Sequence, residues 1–296
     1  MQLDPFFSII IPTYNREDFV TFAIQSVINQ TFKNWELIII DDGSTDNTRE
    51  IIQDNFSDSR IKYVYQENQE RSASRNNGVN IAHGKWICFL DSDDQFLSNH
   101  LEVFAENIKE HKHIHFFYNL KVGETYYKKE DKYNQVFTSV IHSQQVCIQK
   151  ELLIENKYNT DLHIGEDLEL WMRIIKQTDI ICTDVQSVKI INHENRTVGI
   201  KRLEPLQRHL ELITEIASIY SPKIKVQYRR KSISDAYFNI AKYFIGNDFL
   251  KASFYIMKSL LHNIKNEQSR HRFLVLLSLL KVYSRKVLEP YIQKEW

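Results

Sequence analysis

Four short apolar runs constrain this chain more than anything else in it: "FSIII" (Phe7 to Ile11), "WELIII" (Trp35 to Ile40), "IKYVY" (Ile61 to Tyr65) and "WICFL" (Trp86 to Leu90). Helical spacing separates them. Phe19, Ala23, Ile24, Val27 and Ile28 line one face of the first intervening stretch, Ile51 and Ile52 mark the second, and Ser72 to Ala82 the third, ending near Gly84. Ser44, Thr45 or Asp46 can cap the second helix. Continuous apolar strands alternating with helices predict a mostly parallel sheet covered on both faces. In such sheets ligands bind at the carboxyl ends of the strands.

Those ends are polar. Pro12, Thr13 and Tyr14 follow the first strand, Asp41, Asp42 and Gly43 the second, and Asp91, Ser92, Asp93 and Asp94 the fourth. Separate polar turns explain each end alone, but the topology gathers them on one edge. Carboxylates this close repel, so the last group persists either solvated or around something positive.

Further on, Ser98 to His111 reads as a helix, "IHFFYNLKV" and "TYYKK" as strands, and Gly165 to Gln177 as a helix with Leu168, Trp171, Met172 and Ile175 on one face. "DIICTD" and "VKIINH" are short strands that close a first domain at residues 1–200. Residues 201–296 are helical throughout. Ala236, Tyr243, Gly246, Ala252 and Leu260 fit one tetratricopeptide-type helix pair, too little for a repeat array.

The zero net charge hides an asymmetry that matches this division. Residues 201–296 carry 18 Lys+Arg against 8 Asp+Glu, and residues 1–200 carry 20 against 30. An acidic body suits cations, and a basic tail suits an anionic surface such as lipid headgroups, unless these are simply solvated helix faces. Three cysteines, Cys88, Cys147 and Cys182, are unclustered in sequence and fit a reducing compartment. The start "MQLDPFFSIIIP" does not read as a signal peptide, and "FLVLLSLL" (Phe273 to Leu280) is far short of a membrane span. The expected location is cytoplasmic, or peripheral at the inner face of the membrane. Neither G-x-G-x-x-G nor G-x-x-x-x-G-K-[ST] occurs, so any nucleotide phosphates must be met by metal and arginine.

The ordered stretches "SIIIPTYNR", "SVINQTFKNWELIIIDDGSTDNT", "RSASRNNGVNIAHGKWICFLDSDD" and "GEDLELWMR" resemble the inverting family 2 glycosyltransferases of the GT-A fold, over residues 6 to 200. The resemblance implies an α/β nucleotide-diphospho-sugar transferase sandwich with a C-terminal helical appendage. It implies a nucleotide-diphospho-sugar donor, usually a UDP-sugar, a saccharide or lipid-linked acceptor, and Mn²⁺ or Mg²⁺. No nucleic-acid partner is expected. By the same resemblance Asp93 is the metal ligand, with His193 either a second ligand or structural, and Asp94 sits by metal-bound water. Asp91 and Ser92 meet the donor. Tyr14 and Asp42 meet the base in a loop shaped by Pro12 and Thr13, although Asp41 and Asp42 can equally cap a helix. Arg75 lies near base or diphosphate, with Arg71 the weaker candidate. Asp167 matches the general base, Glu166 supports it, and Trp171 either floors an acceptor site or fills the core.

Hard cations with oxygen ligands stabilise the charge on a departing diphosphate, and a carboxylate at a helix start can take the acceptor's proton. The same pair of acids also complements a helix dipole. The processive signature Q-x-x-R-W is absent, which fits addition of one sugar or a few, in surface polysaccharide or glycolipid assembly. Two rival readings are a GT-A-type nucleotidyltransferase, disfavoured by the loop "PTYNRED", and a non-catalytic scaffold with a partner-binding helical tail.

Overall fold

In the computed structural model, which describes residues 4–119, 131–139, 141–183, 185–193, 203–245, 247–262 and 271–276, strand β1 (Phe7–Thr13) is buried at every position. Both of its faces are covered. Phe7, Ile9 and Ile11 share a core with Val20, Ala23, Ile24 and Val27 of helix α1 (Val20–Ile28). On the opposite face, Ile10 meets helix α3 (Glu70–Ile81), and a Cβ added at Gly78 would lie 2.5 Å from an Ile10 methyl. Glycine there lets α3 sit close to the sheet, which fixes the depth of Arg75 three positions earlier. Each fully buried isoleucine contributes about 1.5–3 kcal/mol.

Strand β2 (Trp35–Asp41) pairs in parallel with β1 on one side and with β3 (Ile61–Tyr65) on the other. Helix α2 (Thr48–Asn55) links them; none of its expected caps bonds as an N-cap side chain, but Asp46 accepts the Thr48 N–H. Strand β4 (Trp86–Phe89) joins the far edge of β1 in parallel. Beyond it come β5 (Gln95–Phe96), α4 (His100–Glu110), β6 (Phe116–Tyr118), α5 (Lys132–Thr138), β7 (Val146–Gln149), α6 (Lys150–Glu155), α7 (Glu166–Ile174), β8 (Ile180–Cys182) and β9 (Val188–Lys189). Seven strands form one sheet in the order β3-β2-β1-β4-β7-β6-β8, while β5 and β9 make a separate antiparallel ribbon.

The fold class is the expected one, with local differences. Strand β7 runs antiparallel between β4 and β6; "VCIQ" is too short and too flanked by glutamine to announce itself. It also sets Cys147 directly opposite Cys88, so two cysteines distant in sequence are buried neighbours. Helix α3 ends at Ile81 with Ala82 extended. Gly84 is therefore not its cap. Its N–H donates to Ser8 Oγ at 2.8 Å and Glu36 Oε1 at 3.1 Å, pinning the start of β4. The expected strand "TYYKK" lies outside the described residues.

The chain divides into two compact units, Met1–Asn195 and Arg196–Trp296. The second contains α8 (Leu203–Ile219), α9 (Val226–Phe244) and α10 (Phe249–His262), with 271–276 also helical. Ile240, Phe244 and Ala252 pack where α9 meets α10, and Ser234 donates to the Ser259 carbonyl at 2.7 Å. Ala236 and Ala252 of the expected helix pair are buried, while Gly246 lies outside the described residues. Among the described residues no helix is long and apolar enough to cross a membrane.

The ribbon rests on His100, which is fully buried, stacks on Phe96 and shares a hydrogen bond of 2.7 Å with Ser187 Oγ. Burial pushes its pKa down to about 3. An unfolded histidine titrates near ~6.5, so between these values the unfolded chain binds more protons and stability rises with pH. Unfolding free energy is expected to fall by up to about 1.4 kcal/mol per unit as pH drops below ~6.5. Denaturant titrations of His100→Gln, in which that component of the slope vanishes, check this.

Candidate active site

The carboxyl ends of the central strands meet the start of α7 around one buried side chain, Arg75. Its Nη2 donates to Asp91 Oδ1 at 3.0 Å, and its Nη1 lies 3.4 Å from Glu166 Oε1 and 3.6 Å from Asp167 Oδ1. The guanidinium carbon is 5.3 Å from the centre of the Tyr158 ring, within cation–π range. Burial opposes a charge here, but Tyr158, Asp167, Asp91 and Glu166 outweigh it and raise the Arg75 pKa. For Asp91 burial likewise pushes upward, and Arg75 with Arg71 overcomes it, holding the carboxyl below its ordinary value.

Helix α7 begins after Gly165, whose φ of 78° is a left-handed conformation that side chains resist. Its first turn carries Glu166, Asp167 and Glu169 at the positive end of the helix dipole. The adjacent acids differ in access: the Glu166 side chain is 6% exposed and that of Asp167 20%. Burial, then the charge of Asp167, raises the Glu166 pKa against the pull of Arg71, whose Nε lies 2.8 Å away, and of Arg75.

Asp167 is held from the other side by the 3₁₀ turn Ser143–Gln145. Ser143 donates its N–H to Oδ2 at 3.2 Å and its hydroxyl to Oδ1. A carboxylate only accepts, so the single Ser143 proton is committed and the Tyr158 hydroxyl, 2.8 Å away, donates to Ser143 Oγ. The next residue, Gln144, donates to Asp94 Oδ2 at 3.0 Å. One turn thus braces the acid of α7 and the acidic end of β4 together.

Asp91, Asp93 and Asp94 can bring one oxygen each within 4.8 Å of one another. Their surroundings separate them. Asp94 is fully buried and accepts from Gln144 and from the Ile191 N–H at 2.9 Å, so it anchors the returning 188–193 segment. Asp93 Oδ2 is 3.0 Å from His193 Nε2 and 3.6 Å from Arg16 Nε. The imidazole stacks on Phe19 at 4.3 Å, and its buried Nδ1 finds no hydrogen-bond partner among the described residues. The clustered carboxylate oxygens are hard donors of the kind that suit a divalent cation.

At the other end of the edge, Tyr14 is 46% exposed, while Pro12 and Thr13 are buried in β1 and Ser92 is buried after β4. Asn15, at φ 49°, is held in its left-handed turn by Ser44 Oγ, which accepts its N–H, and by the Thr45 N–H, which its side chain accepts. Asp42 accepts from Gln66 Nε2 at 2.6 Å and from the Gln69 N–H at 3.0 Å, tying the approach to α3 to the end of β2. Asp41 is fully buried on the Ser44 N–H and the Tyr63 hydroxyl, and so shapes the loop without facing the cleft.

Trp171 requires a correction. It is 1% exposed, packs between Phe116 and Tyr158, and donates its indole N–H to the Ile141 carbonyl at 3.0 Å. No ring face is left to floor an acceptor. Sequence reasoning also missed Ser143, Gln144, Tyr158 and Arg16. Arg16 stood inside the motif "SIIIPTYNR", but the other three fall where no pattern pointed.

A family model described as glycosyl transferase family 2 matches residues 8–165, more than half of the chain. The chain belongs to this family. It is 36% identical over 183 residues to the Escherichia coli UDP-Glc:alpha-D-GlcNAc-diphosphoundecaprenol beta-1,3-glucosyltransferase WfgD, covering 58% of this chain and 71% of that protein. It is 27% identical over 258 residues to the Campylobacter jejuni GalNAc(5)-diNAcBac-PP-undecaprenol beta-1,3-glucosyltransferase, covering 81% and 82%. Other relatives are longer: an uncharacterised glycosyltransferase of Rickettsia conorii is 36% identical over 62% of this chain, which spans only 32% of its length. Among solved structures, Staphylococcus aureus TarS 1–349 in complex with UDP-GlcNAc superposes with a TM-score of 0.64 at 18% identity, covering 98% of this chain and 92% of that one. The Pyrobaculum calidifontis mannosyltransferase PcManGT, in complex with GDP-Man and Mn²⁺, gives 0.62 at 14% identity, covering 97% and 88%. At these identities the likeness establishes the GT-A fold.

Proposed function

We propose that the chain is a metal-dependent, inverting, non-processive glycosyltransferase that moves a sugar from a nucleotide-diphospho-sugar, a UDP-sugar, to an acceptor hydroxyl. The observation that carries this reading is the placement of Arg75, which links Asp91 at a strand end to Glu166 and Asp167 at a helix start. A donor lying along the strand ends would present its anomeric carbon toward Asp167. Tyr14 and Asp42 flank the base, and Asp91 and Ser92 meet the ribose and diphosphate. Asp93 and His193 would hold the divalent cation, which when bound offsets charge on the departing diphosphate.

Asp167 accepts the acceptor hydroxyl's proton as its oxygen bonds to the anomeric carbon and the bond from that carbon to the phosphate oxygen breaks. Ser143 fixes the carboxylate's orientation, and Glu166 supports it through Arg71 and Arg75. The activities of the Escherichia coli and Campylobacter relatives favour an acceptor linked to undecaprenyl diphosphate, as in surface polysaccharide or glycolipid assembly. We read residues 1–200 as the catalytic domain and the basic 201–296 region as the part that meets an anionic membrane from its cytoplasmic side.

Release of the nucleoside diphosphate from a panel of UDP-, GDP- and dTDP-sugars, with and without EDTA, tests this. Turnover with a UDP-sugar that stops in EDTA and returns with Mn²⁺ is the expected result, with an anomerically inverted product by NMR. Full turnover by Asp93→Ala would remove the metal assignment. Ser143→Ala is expected to lower kcat about tenfold while donor KM moves less than about twofold, because a hydrogen bond to a charged group contributes about 1.5–3 kcal/mol. Initial rates over a range of donor concentrations separate the two parameters.

A further inference from the structure

Helix α10 has two unlike sides. Ala252, Ile256 and Ser259 are buried, the last against Ser234 of α9. On the opposite side Leu250, Phe254, Met257 and Leu261 are 67%, 52%, 55% and 72% exposed. The spacing of four, three and four places them in one stripe along the helix. Lys251 and Lys258 lie together on one flank of that stripe, and the Lys258 ammonium stands 5.2 Å from the Phe254 ring centre. No residue of α10 is acidic.

Four large apolar side chains in one row exceed the scattered singles of an ordinary surface. Charge selects among the occupants that could cover them. With 18 Lys+Arg against 8 Asp+Glu in residues 201–296, a second copy of the same region would be repelled and an anionic surface attracted. Asp248, just before the helix, lies 3.2 Å from Lys251 Nζ, but an apolar face with Phe and Leu and lysines on its border is the composition of a helix that lies in the plane of a membrane interface.

We propose that α10 is a docking surface for an anionic lipid bilayer, with Leu250, Phe254, Met257 and Leu261 entering the acyl boundary and Lys251 and Lys258 meeting headgroup phosphates. This specifies how the basic region would meet a membrane, yet it does not depend on sugar transfer. Binding can succeed or fail whatever the donor assay returns.

The test is flotation of the full chain with vesicles of phosphatidylcholine containing about one-third phosphatidylglycerol, and with phosphatidylcholine alone. The chain is expected to float with the anionic vesicles and to be released by salt. Leu250→Gln with Phe254→Gln is expected to weaken partitioning at least about tenfold, from the apolar area withdrawn. Lys251→Gln with Lys258→Gln costs about fivefold per lysine on anionic vesicles only. Leu250, Lys251 and Phe254 are exposed and Lys258 is half-buried beside the Tyr237 and Phe254 rings, so the variants should melt close to the parent, and their UDP release with soluble substrates should be unchanged. Absence of flotation, or equal flotation of the Leu250/Phe254 variant and the parent, overturns the proposal. So does a dimer in sedimentation that the same variant dissolves, which would assign the stripe to a second copy.

Discussion

Asp167→Asn is expected to lower kcat by about 10²- to 10⁴-fold, the contribution of a positioned general base, while UDP binding by calorimetry stays as in the parent. Asparagine keeps the shape, but its single carbonyl oxygen can accept only one of the two Ser143 donors, so part of the brace is lost with the proton acceptor and Ser143→Ala measures that part separately. Glu166→Gln should cost less: Glu166 is nearly closed to solvent, its raised pKa reflects burial and the charge of Asp167, and its contacts run to Arg71 and Arg75. If Asp167→Asn turned over normally with its fold intact, the base would have to be sought elsewhere.

Arg75→Met should produce the largest loss of stability of any single change at the site. Removing one partner of a buried ion pair leaves an uncompensated charge, which typically costs about 3–5 kcal/mol. Here Asp91 and Glu166 both lose the guanidinium, and Tyr158 loses the cation over its ring. The pH dependence has a definite sign. Asp91 is depressed in the folded protein, so its share of the stabilisation is present above the unfolded value of ~3.9 and is lost as pH falls below it. Chemical denaturation should therefore show a full gap between variant and parent at neutral pH, narrowing under strong acid. Arg75→Lys, which keeps the charge without the fork, should fall between them.

The parts of this arrangement that a reader could take from the chain are those in which one stretch does one thing. "FSIII" and "WELIII" are buried on both faces and say so by having no polar alternation; the acids behind them follow from the rule about strand ends. What stayed hidden depends on partners distant in sequence. Nothing near Ser143 or Gln144 announces that one will hold Asp167 and the other Asp94, 24 and 50 positions away. Strand β7 is short, and its central place in the sheet comes from its neighbours and not from its own pattern. Trp171 stayed open for a related reason: one turn beyond a candidate base, an aromatic ring fits an open floor and a packed core equally well until Phe116 and Tyr158 pack against it.

The ribbon of β5 and β9 also sets an order of events. Asp93 and His193 stand a hundred positions apart, and they meet only because Val188 and Lys189 come back to pair with Phe96 and Gln95. Synthesis from the N-terminus delivers the parallel strands and their acids long before that return is possible. A growing chain therefore carries Asp93 for a hundred residues before its imidazole partner has been made. The acidic edge is synthesised early, and the histidine that meets Asp93 is among the last residues of the first unit to be made.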